Sequence, residues 1–188
     1  MIKAWGTDIG VEVASLGIQV HGGMGFIEET GAAQIWRDAR IAPIYEGTNG
    51  IQAADLVTRK LGLDDGEVYA ALIRDVTRDA ANEPTLAALA DSCGTVATWM
   101  RDTASLDDRL AGSVPFCTMS AVAIAGWQLL LQLQAIDGGD APALAAAKRA
   151  TVCFFLDRVV PEAGGLMASA TAGAEALYAL DAAQIASR

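Results

Sequence analysis

The sequence predicts an all-α protein, built as one antiparallel helical bundle or two. Alanine is abundant and runs of β-branched residues are scarce, which favours helices over strands. Apolar residues recur at spacings of three and four over much of the chain, as on the buried faces of helices. Short loops separate the predicted helices, as in up-and-down bundles, and no segment resembles a convincing strand.

Two helices are predicted at the start of the chain. The first covers residues 2–20 and ends at Gly22-Gly23, where glycine permits the positive φ that closes many helices. The second is short, covers residues 28–40 and is closed by Pro43.

A turn over residues 45–50 leads into the third helix. Thr48 or Asn49 could cap this helix, because both side chains accept hydrogen bonds from helical N–H groups. Gly62 ends it, and the linker Asp64-Asp65-Gly66 follows. The apolar face predicted for this helix comprises Ile51, Ala54, Leu56, Val57 and Leu61. We place a domain boundary at the linker, with a first domain of residues 1–62 and a second of residues 63–188.

The second domain is predicted to be a series of helices. Gly138-Gly139 break the chain, Pro161 closes the helix after them, and the last helix follows Gly164-Gly165. The apolar stripes comprise Val68, Leu72 and Val76; then Leu86, Leu89, Ala90, Cys93, Val96, Ala97 and Met100; then Leu144, Ala147, Thr151, Phe154 and Phe155; and, in the last helix, Leu177 and Leu180.

The stretch from Ala111 to Ile136 carries no charged residue and is long enough to span a bilayer. It contains Pro115 and several serine and glutamine residues, and aspartates flank it on both sides. A spanning helix would normally carry basic residues on one side. We therefore expect a buried core helix and no membrane span.

Composition limits the partners and the location. The formal net charge is −10, and residues 63–188 hold sixteen acidic side chains against eight basic ones. An acidic chain repels phosphate backbones, so nucleic acid is not an expected partner. Cys93, Cys117 and Cys153 show neither metal-ligand spacing nor a CxxC motif, so we expect no metal site. Free thiols and the absence of a signal peptide predict a cytoplasmic protein.

Glu46 is the candidate base. It lies between an aromatic residue and a glycine, in Tyr45-Glu46-Gly47-Thr48, and would lose water when a substrate covers it. Desolvation raises the pKa of a carboxyl group toward neutrality, which suits the removal of a proton from carbon. Taken alone, this tetrapeptide is more often an ordinary exposed turn.

A glycine-rich turn, HGGMGF, covers residues 21–26. Its bare backbone could lie against a phosphate or a sugar, although it follows a helix and so does not fit a dinucleotide fingerprint. An ordinary interhelical turn is the simpler interpretation of these residues alone. His21, the single histidine, is predicted to be structural, and the run from Arg37 to Arg40 to be a salt-bridged helix end. The tryptophans predicted to pack are Trp36, Trp99 and Trp127.

Together these segments strongly resemble the C-terminal helical domain of acyl-CoA dehydrogenases. Three runs match it in order and spacing: QVHGGMGF at residues 19–26, RDAR at 37–40 and IYEGT at 44–48. The match is specific over residues 3–62 and architectural beyond them. With its continuation NGIQ and a long helical tail, the chain is most similar to larger bacterial members. These include the 3-methylmercaptopropionyl-CoA dehydrogenase type, which has an extra C-terminal helical domain.

The resemblance implies an FAD-dependent α,β-dehydrogenation of an acyl-CoA thioester to a trans-2-enoyl-CoA. Glu46 would remove the α-proton, its backbone N–H would help to hold the thioester carbonyl, and the β-hydrogen would leave as hydride to FAD. The resemblance also assigns Tyr45 and Gly47 to substrate contact. It assigns Gln19, Gly22, Gly23 and Thr48 to FAD contact, with the glycine turn reaching the FAD of a neighbouring subunit.

Two departures from the family pattern matter. Gly50 stands where many shorter members carry a glutamine that contacts the flavin nucleotide. The family's N-terminal helical domain and middle β-domain have no counterpart in the sequence. We therefore expect a homodimer or higher homo-oligomer, or another chain that carries the missing domains, and neither activity nor appreciable FAD affinity for these residues alone.

A non-enzymatic function remains an alternative, in which the helical bundle serves oligomerisation or partner docking. A nucleic-acid-associated relative of the dehydrogenases is a third option, which the acidic tail disfavours.

Overall fold

The computed structural model describes residues 1–137 and 142–186. All regular elements in these two ranges are helical, which confirms the predicted fold class. The α-helices are α1 (Ile2–Val20), α2 (Gly23–Phe26), α3 (Ala32–Ala39), α4 (Asn49–Thr58), α5 (Glu67–Asp79), α6 (Pro84–Asp102), α7 (Leu106–Ala111), α8 (Ser113–Asp137), α9 (Pro142–Phe154), α10 (Val160–Gly164), α11 (Met167–Ala170) and α12 (Ala182–Ala186). The predicted break at Gly138-Gly139 lies outside the described residues.

Helix α8 lies at the centre of the bundle. It contacts α4, α6, α9, α10 and α11, and it buries Phe116, Met119, Val122 and Ala123. Among the described residues it is the one helix long and apolar enough to cross a membrane, and 50% of its most apolar window is buried inside the protein. Packing against so many neighbours supports the predicted core helix.

The stripe predicted on α6 is confirmed at every position, since all seven of its residues are buried. Pro84 occupies the first turn of this helix, where the N–H that proline lacks would have no helical partner. The buried face packs against α5 and α8.

The stripe predicted on α5 is confirmed at Val76 and displaced by one residue at its other two positions. Tyr69, Ile73 and Val76 are buried, whereas Val68 is exposed and Leu72 only half-buried. The Tyr69 ring packs against Phe116 with centroids 5.5 Å apart, and its hydroxyl lies 2.7 Å from the Ser120 hydroxyl. Since burying a tyrosine removes a large apolar area and its hydroxyl finds a partner here, this contact sets the rotation of α5.

The helix predicted over residues 28–40 is interrupted at Gly31, whose φ is +78°. A single 3₁₀ turn, Glu28–Thr30, precedes the break, and α3 follows it. The Thr30 hydroxyl donates to the carbonyl oxygens of Met24 and Ile27, which ties this turn to α2 instead of extending α3 backwards.

Helix α4 ends at Thr58, before the predicted stop at Gly62. Ile51, predicted on its apolar face, is 61% exposed, and Ala53 is buried instead. A 3₁₀ segment, Lys60–Gly66, follows with a sharp turn in which Asp64, Asp65 and Gly66 all have positive φ. The predicted linker is therefore a tight turn.

Pro161 does not close the helix in which it lies. The chain continues from α9 through one π-helical segment, Phe155–Val159, into α10, and the Val160 N–H donates to the Phe155 carbonyl. Because proline lacks an N–H and crowds the carbonyl four residues before it, a widened turn accommodates Pro161 without a stop. The buried stripe is Val152, Leu156, Val160 and Ala163, while the predicted Leu144 and Phe154 are exposed.

The last predicted helix is replaced by three short pieces. These are α11, a 3₁₀ turn at Glu175–Tyr178, and α12. Leu177 and Leu180, predicted to be on a buried face, are exposed. Helix formation here lacks the buried apolar face that normally stabilises helices in proteins.

One hydrophobic core continues across the predicted boundary at residues 62 and 63. Ala53, Leu56 and Val57 of α4 belong to the same buried cluster as Tyr69 and Phe116. Helix α4 packs directly against α8. The division into two domains therefore remains a prediction about the sequence.

Candidate active site

Glu46 lies in a turn of two consecutive left-handed residues. The φ angle is +53° at Glu46 and +85° at Gly47. A non-glycine residue pays about 1–2 kcal/mol for this conformation, so surrounding contacts must hold it. The Glu46 side chain is exposed. The water-poor setting expected for a base would thus require a bound substrate or further protein over the turn.

Side chains bind both carbonyl groups of this turn. Gln52 Nε2 donates to the Glu46 carbonyl oxygen at 2.9 Å, and Lys3 Nζ donates to the Gly47 carbonyl oxygen at 2.8 Å. Lys3 Nζ also lies 5.9 Å from the centre of the Tyr45 ring, within range of a cation–π interaction. The peptide planes on either side of Gly47 are therefore held by α1 and by α4.

Asn49 joins the start of α4 to the first two turns of α1. Its Oδ1 accepts from Lys3 Nζ at 2.8 Å. Its Nδ2 lies 2.8 Å from the Ala4 carbonyl oxygen, 2.9 Å from Thr7 Oγ1 and 2.7 Å from Asp8 Oδ1. These contacts fix the position of α4, and of the turn before it, on α1.

Thr48 is the N-cap of α4, because its hydroxyl oxygen accepts from the Ile51 N–H at 3.4 Å. The threonine hydroxyl keeps its own proton for donation, so capping does not prevent a contact with a ligand. Of the two predicted capping residues, Thr48 caps the helix and Asn49 is its first residue.

The glycine turn lies at the other end of α1. Gly22 has φ +60°, and a Cβ at Gly22 or Gly23 would meet no atom within 4 Å, so this backbone is open to approach. The Gln19 side chain is exposed, and the backbone carbonyl oxygen of Gln19 accepts from the Gly22 N–H at 3.0 Å. Gly25 is different, since a Cβ there would lie 2.3 Å from the Ile18 carbonyl oxygen.

The predicted site residues therefore form two separate groups. Ala4, which contacts Asn49, lies sixteen residues before Val20, the last residue of α1, so about 24 Å of helix separates the two groups. The structure brings Tyr45, Glu46, Gly47 and Thr48 together in one turn. It places Gln19, Gly22 and Gly23 at the far end of the helix.

These residues fit edge contacts with a flavin nucleotide and do not enclose one. Open backbone at Gly22 and Gly23 suits the approach of a phosphate or a sugar. A cavity of about 580 Å³ in the described part of the chain lies elsewhere, between α5 and α6, where Tyr69, Ile73 and Gly94 contribute to its lining.

The remaining candidates have local contacts. His21 Nδ1 lies 2.8 Å from the Gly17 carbonyl oxygen. Arg37 pairs with Glu28 at 2.5 Å, so its ion pair crosses the Gly31 turn and lies outside the RDAR run. Trp99 and Trp127 pack against the core, whereas Trp36 is exposed.

Lys3, Asn49 and Gln52 were not predicted as parts of the site. Lys3 precedes Gly47 by 44 residues, and no local spacing links the two. Asn49 was considered only as a cap. Asn49 and Gln52 both lie in the run NGIQ that continues the IYEGT motif, and this run was the available signal for these two residues.

Two family models match the chain. The model described as "Acetyl-CoA dehydrogenase C-terminal like" matches residues 69–181, and the one described as "Acyl-CoA dehydrogenase, C-terminal domain" matches residues 1–61. The chain belongs to the acyl-CoA dehydrogenase family. The predicted resemblance is thereby confirmed, and it extends over the helical tail as well as over the motifs.

Two curated acyl-CoA dehydrogenases match this family member over most of its length, and a third matches less than half of it. The 3-methylmercaptopropionyl-CoA dehydrogenase of Ruegeria pomeroyi is 43% identical over 180 residues, which cover 86% of the chain and 30% of that relative. A broad-specificity linear acyl-CoA dehydrogenase of Mycobacterium tuberculosis is 29% identical over 186 residues, with the same 86% and 30% coverage. A butyryl-CoA dehydrogenase of Syntrophomonas wolfei is 36% identical over 85 residues, 45% of the chain and 14% of that relative. The chain spans 30% or less of the length of these relatives.

Proposed function

We propose that the chain forms one wall of the active site of an FAD-dependent acyl-CoA dehydrogenase, in which Glu46 is the base. The observation that supports this most directly is the fixed left-handed turn at Glu46. Strain of this kind persists only where surrounding contacts impose it, and it is concentrated at functional sites. Lys3, Asn49 and Gln52 provide such contacts.

In the proposed reaction the Glu46 carboxylate takes the α-proton of an acyl-CoA thioester. The electron pair left behind is shared with the thioester oxygen, to which the Glu46 backbone N–H donates a hydrogen bond. The β-hydrogen then leaves as hydride, for which a bound FAD supplies the acceptor, and the product is a trans-2-enoyl-CoA. Tyr45 and Gly47 line the substrate side of the turn.

Water must be excluded from Glu46 for this chemistry. Ile44 and Tyr45 are both about half exposed and form an apolar rim beside the carboxylate. An acyl chain or a further protein domain that covers this rim would remove water from the carboxylate and strengthen its interactions with the substrate.

FAD contact is proposed for Gln19, Gly22, Gly23 and Thr48. Because about 24 Å of α1 separates Ala4, which Asn49 contacts beside Thr48, from the end of the helix at the glycine turn, the two groups would serve different flavins. That arrangement requires a homodimer or higher homo-oligomer, or another chain that carries the remaining domains. The bare apolar side chains at this end of α1, Val20 at 86% and Phe26 at 85% exposure, are consistent with such a neighbour.

These assignments carry three further proposals. Residues 1–62 and 63–188 are two domains of an acyl-CoA dehydrogenase, and the protein works in the cytoplasm. Residues 1–188 alone neither oxidise acyl-CoA nor hold FAD, because they provide only one wall of the site.

A non-catalytic subunit for oligomerisation or partner docking is the second candidate. The observation that favours it is the exposed apolar surface of α1 and α2, which includes Val20 and Phe26. A docking subunit would use this surface and would not need the Glu46 carboxylate.

The test is Glu46→Gln in the full-length protein as it occurs in its cells. We expect acyl-CoA oxidation to fall about 10²–10⁴-fold, the range for loss of a general base, with bound flavin unchanged. Glu175→Gln, at an exposed glutamate of the tail, is the matched control and should keep full activity. A fully active Glu46→Gln enzyme would rule out the catalytic assignment. A full-length protein that has neither flavin nor activity would favour the second candidate, the non-catalytic docking subunit.

A further inference from the structure

We infer that Lys3 is a positioning residue, whose ammonium group fixes the Glu46 turn on α1 and thereby sets the rate of proton removal. The inference rests on the proposed role of Glu46 and extends it to a residue 43 positions earlier. Lys3 would act through the backbone of the turn without contact with the substrate.

The contacts of Lys3 converge on this turn. An ammonium group offers three N–H donors. Two of them reach Gly47 and Asn49, each at 2.8 Å, and the group also lies near the face of Tyr45. Lys3 therefore contacts the residue before Glu46, the residue after it, and the first residue of α4.

The bond to Gly47 bears directly on Glu46. The Glu46 carbonyl belongs to the peptide group that joins Glu46 to Gly47. The Gly47 carbonyl belongs to the next peptide group, which joins Gly47 to Thr48. With Lys3 on one carbonyl and Gln52 on the other, both peptide planes that follow the Glu46 Cα are held, which restricts the directions open to the Glu46 Cα–Cβ bond. A displacement of about 1 Å at a reacting group can cost about 10²-fold in rate.

Lys3 and Gln52 differ in what they hold. Gln52 lies in α4, six residues after Glu46, so its bond is a local one within the same loop and helix. Lys3 comes from the first turn of another helix, α1. Its bonds to a carbonyl and an amide oxygen are charge-assisted, about twice as strong as neutral ones. Lys3 thus fixes the turn relative to the rest of the protein.

The test compares three variants of the full-length enzyme: Lys3→Met, Lys3→Arg and, as a matched control, Lys148→Met. Lys148 donates to Gln132 at 2.9 Å on α8, away from the turn. For each we would measure kcat, KM for acyl-CoA, and the incorporation of solvent deuterium at the substrate α-carbon, which reports proton removal directly.

For Lys3→Met we expect kcat and deuterium incorporation to fall together by about 10–100-fold, while KM changes less than about threefold. Lys3→Arg should recover most of the rate, because it restores a cation with N–H donors. Lys148→Met should match the wild type. A second readout is amide hydrogen exchange, which should become faster in Lys3→Met over residues 45–50 and stay unchanged in α6.

Three outcomes would overturn the inference. In the first, Lys3→Met keeps the wild-type rate and exchange pattern while Glu46→Gln is inactive, and only the role of Lys3 is then wrong. In the second, the rate falls but exchange rises over the whole of α1, and Lys3 then stabilises the helix generally. In the third, Glu46→Gln is active, and the proposed function fails as well. If Lys3→Met does not fold, Lys3→Gln takes its place in the test, because glutamine keeps one N–H donor group. We then expect a loss of kcat between those of Lys3→Arg and Lys3→Met.

Discussion

A Cβ atom on Gly25 would lie 2.3 Å from the carbonyl oxygen of Ile18. Helix α2 therefore packs on the last turns of α1 through direct backbone contact. Gly23, two residues earlier in the same turn, faces open space. The two glycines therefore have different roles: Gly25 permits close packing of α2 on α1, and Gly23 leaves the backbone accessible.

Gly25→Ala should lower the free energy of unfolding by about 1–3 kcal/mol, because the added methyl group overpacks a site bounded by backbone. Gly23→Ala should change it by less than about 0.5 kcal/mol, as for surface substitutions. Urea denaturation followed by circular dichroism would measure both. Equal effects of the two substitutions would contradict the close contact at Gly25.

Asn49→Ala should lower the free energy of unfolding by about 1–3 kcal/mol, because it leaves the Lys3 ammonium and the Ala4 carbonyl with fewer partners. Asn82→Ala is the control, at an exposed asparagine in the loop before α6. Urea denaturation of both variants would test the difference. An Asn49→Ala protein as stable as the control would show that the join between α1 and α4 does not depend on this side chain.

Leu86→Ala should cost about 2–5 kcal/mol of unfolding free energy, since Leu86 is fully buried and its loss leaves a cavity between α6 and Gly126. Leu177→Ala removes the same atoms from an exposed position and should change stability by less than about 0.5 kcal/mol. Thermal denaturation of the pair would decide whether the tail packs as described.

Asp55 makes stability depend on pH in the acid range. The hydrogen bond from Arg59 at 2.7 Å is the main reason, with Lys60 at 3.0 Å, that the pKa of Asp55 is lowered from 3.8 to about 2. Since the folded pKa lies below the unfolded one, the carboxylate stabilises the fold fully above about pH 4, and this contribution disappears as the pH falls toward 2.

The stability difference between wild type and Asp55→Asn should accordingly be greatest above about pH 4 and shrink toward pH 2. Urea denaturation at several pH values would measure it. Parallel stability curves from pH 5 to pH 2 would show that the ion pairs do not lower the pKa of Asp55 in solution.

The long helices could be predicted from the periodicity of apolar residues. Which face of a helix is buried could be predicted only where the helix carries a single apolar stripe. On α6 the seven buried positions are the only apolar stripe of that length. On α5, Val68 and Leu72 compete with Tyr69 and Ile73, and the contact of Tyr69 with Phe116 decides between them. Tyr69 and Phe116 are 47 residues apart in sequence, so the spacing of residues within α5 could not predict their contact.

The IYEGT motif predicted the position of the Glu46 turn, but it did not predict the side chains that hold the turn in place. Thr48 was predictable as a cap because capping follows local rules. The bonds from Lys3 could not be predicted, because a contact between α1 and a turn 44 residues later has no local pattern. The last helix was predicted after Gly164-Gly165 with Leu177 and Leu180 on its apolar face, but both leucines are exposed and provide no buried surface that would stabilise it.

Leu56 and Val57 of α4 lie in the same core as Phe116 of α8. A cut between residues 62 and 63 would leave bare apolar faces on both pieces. The tail could therefore be exchanged for another segment only if the face of α4 that packs on α8 changed with it.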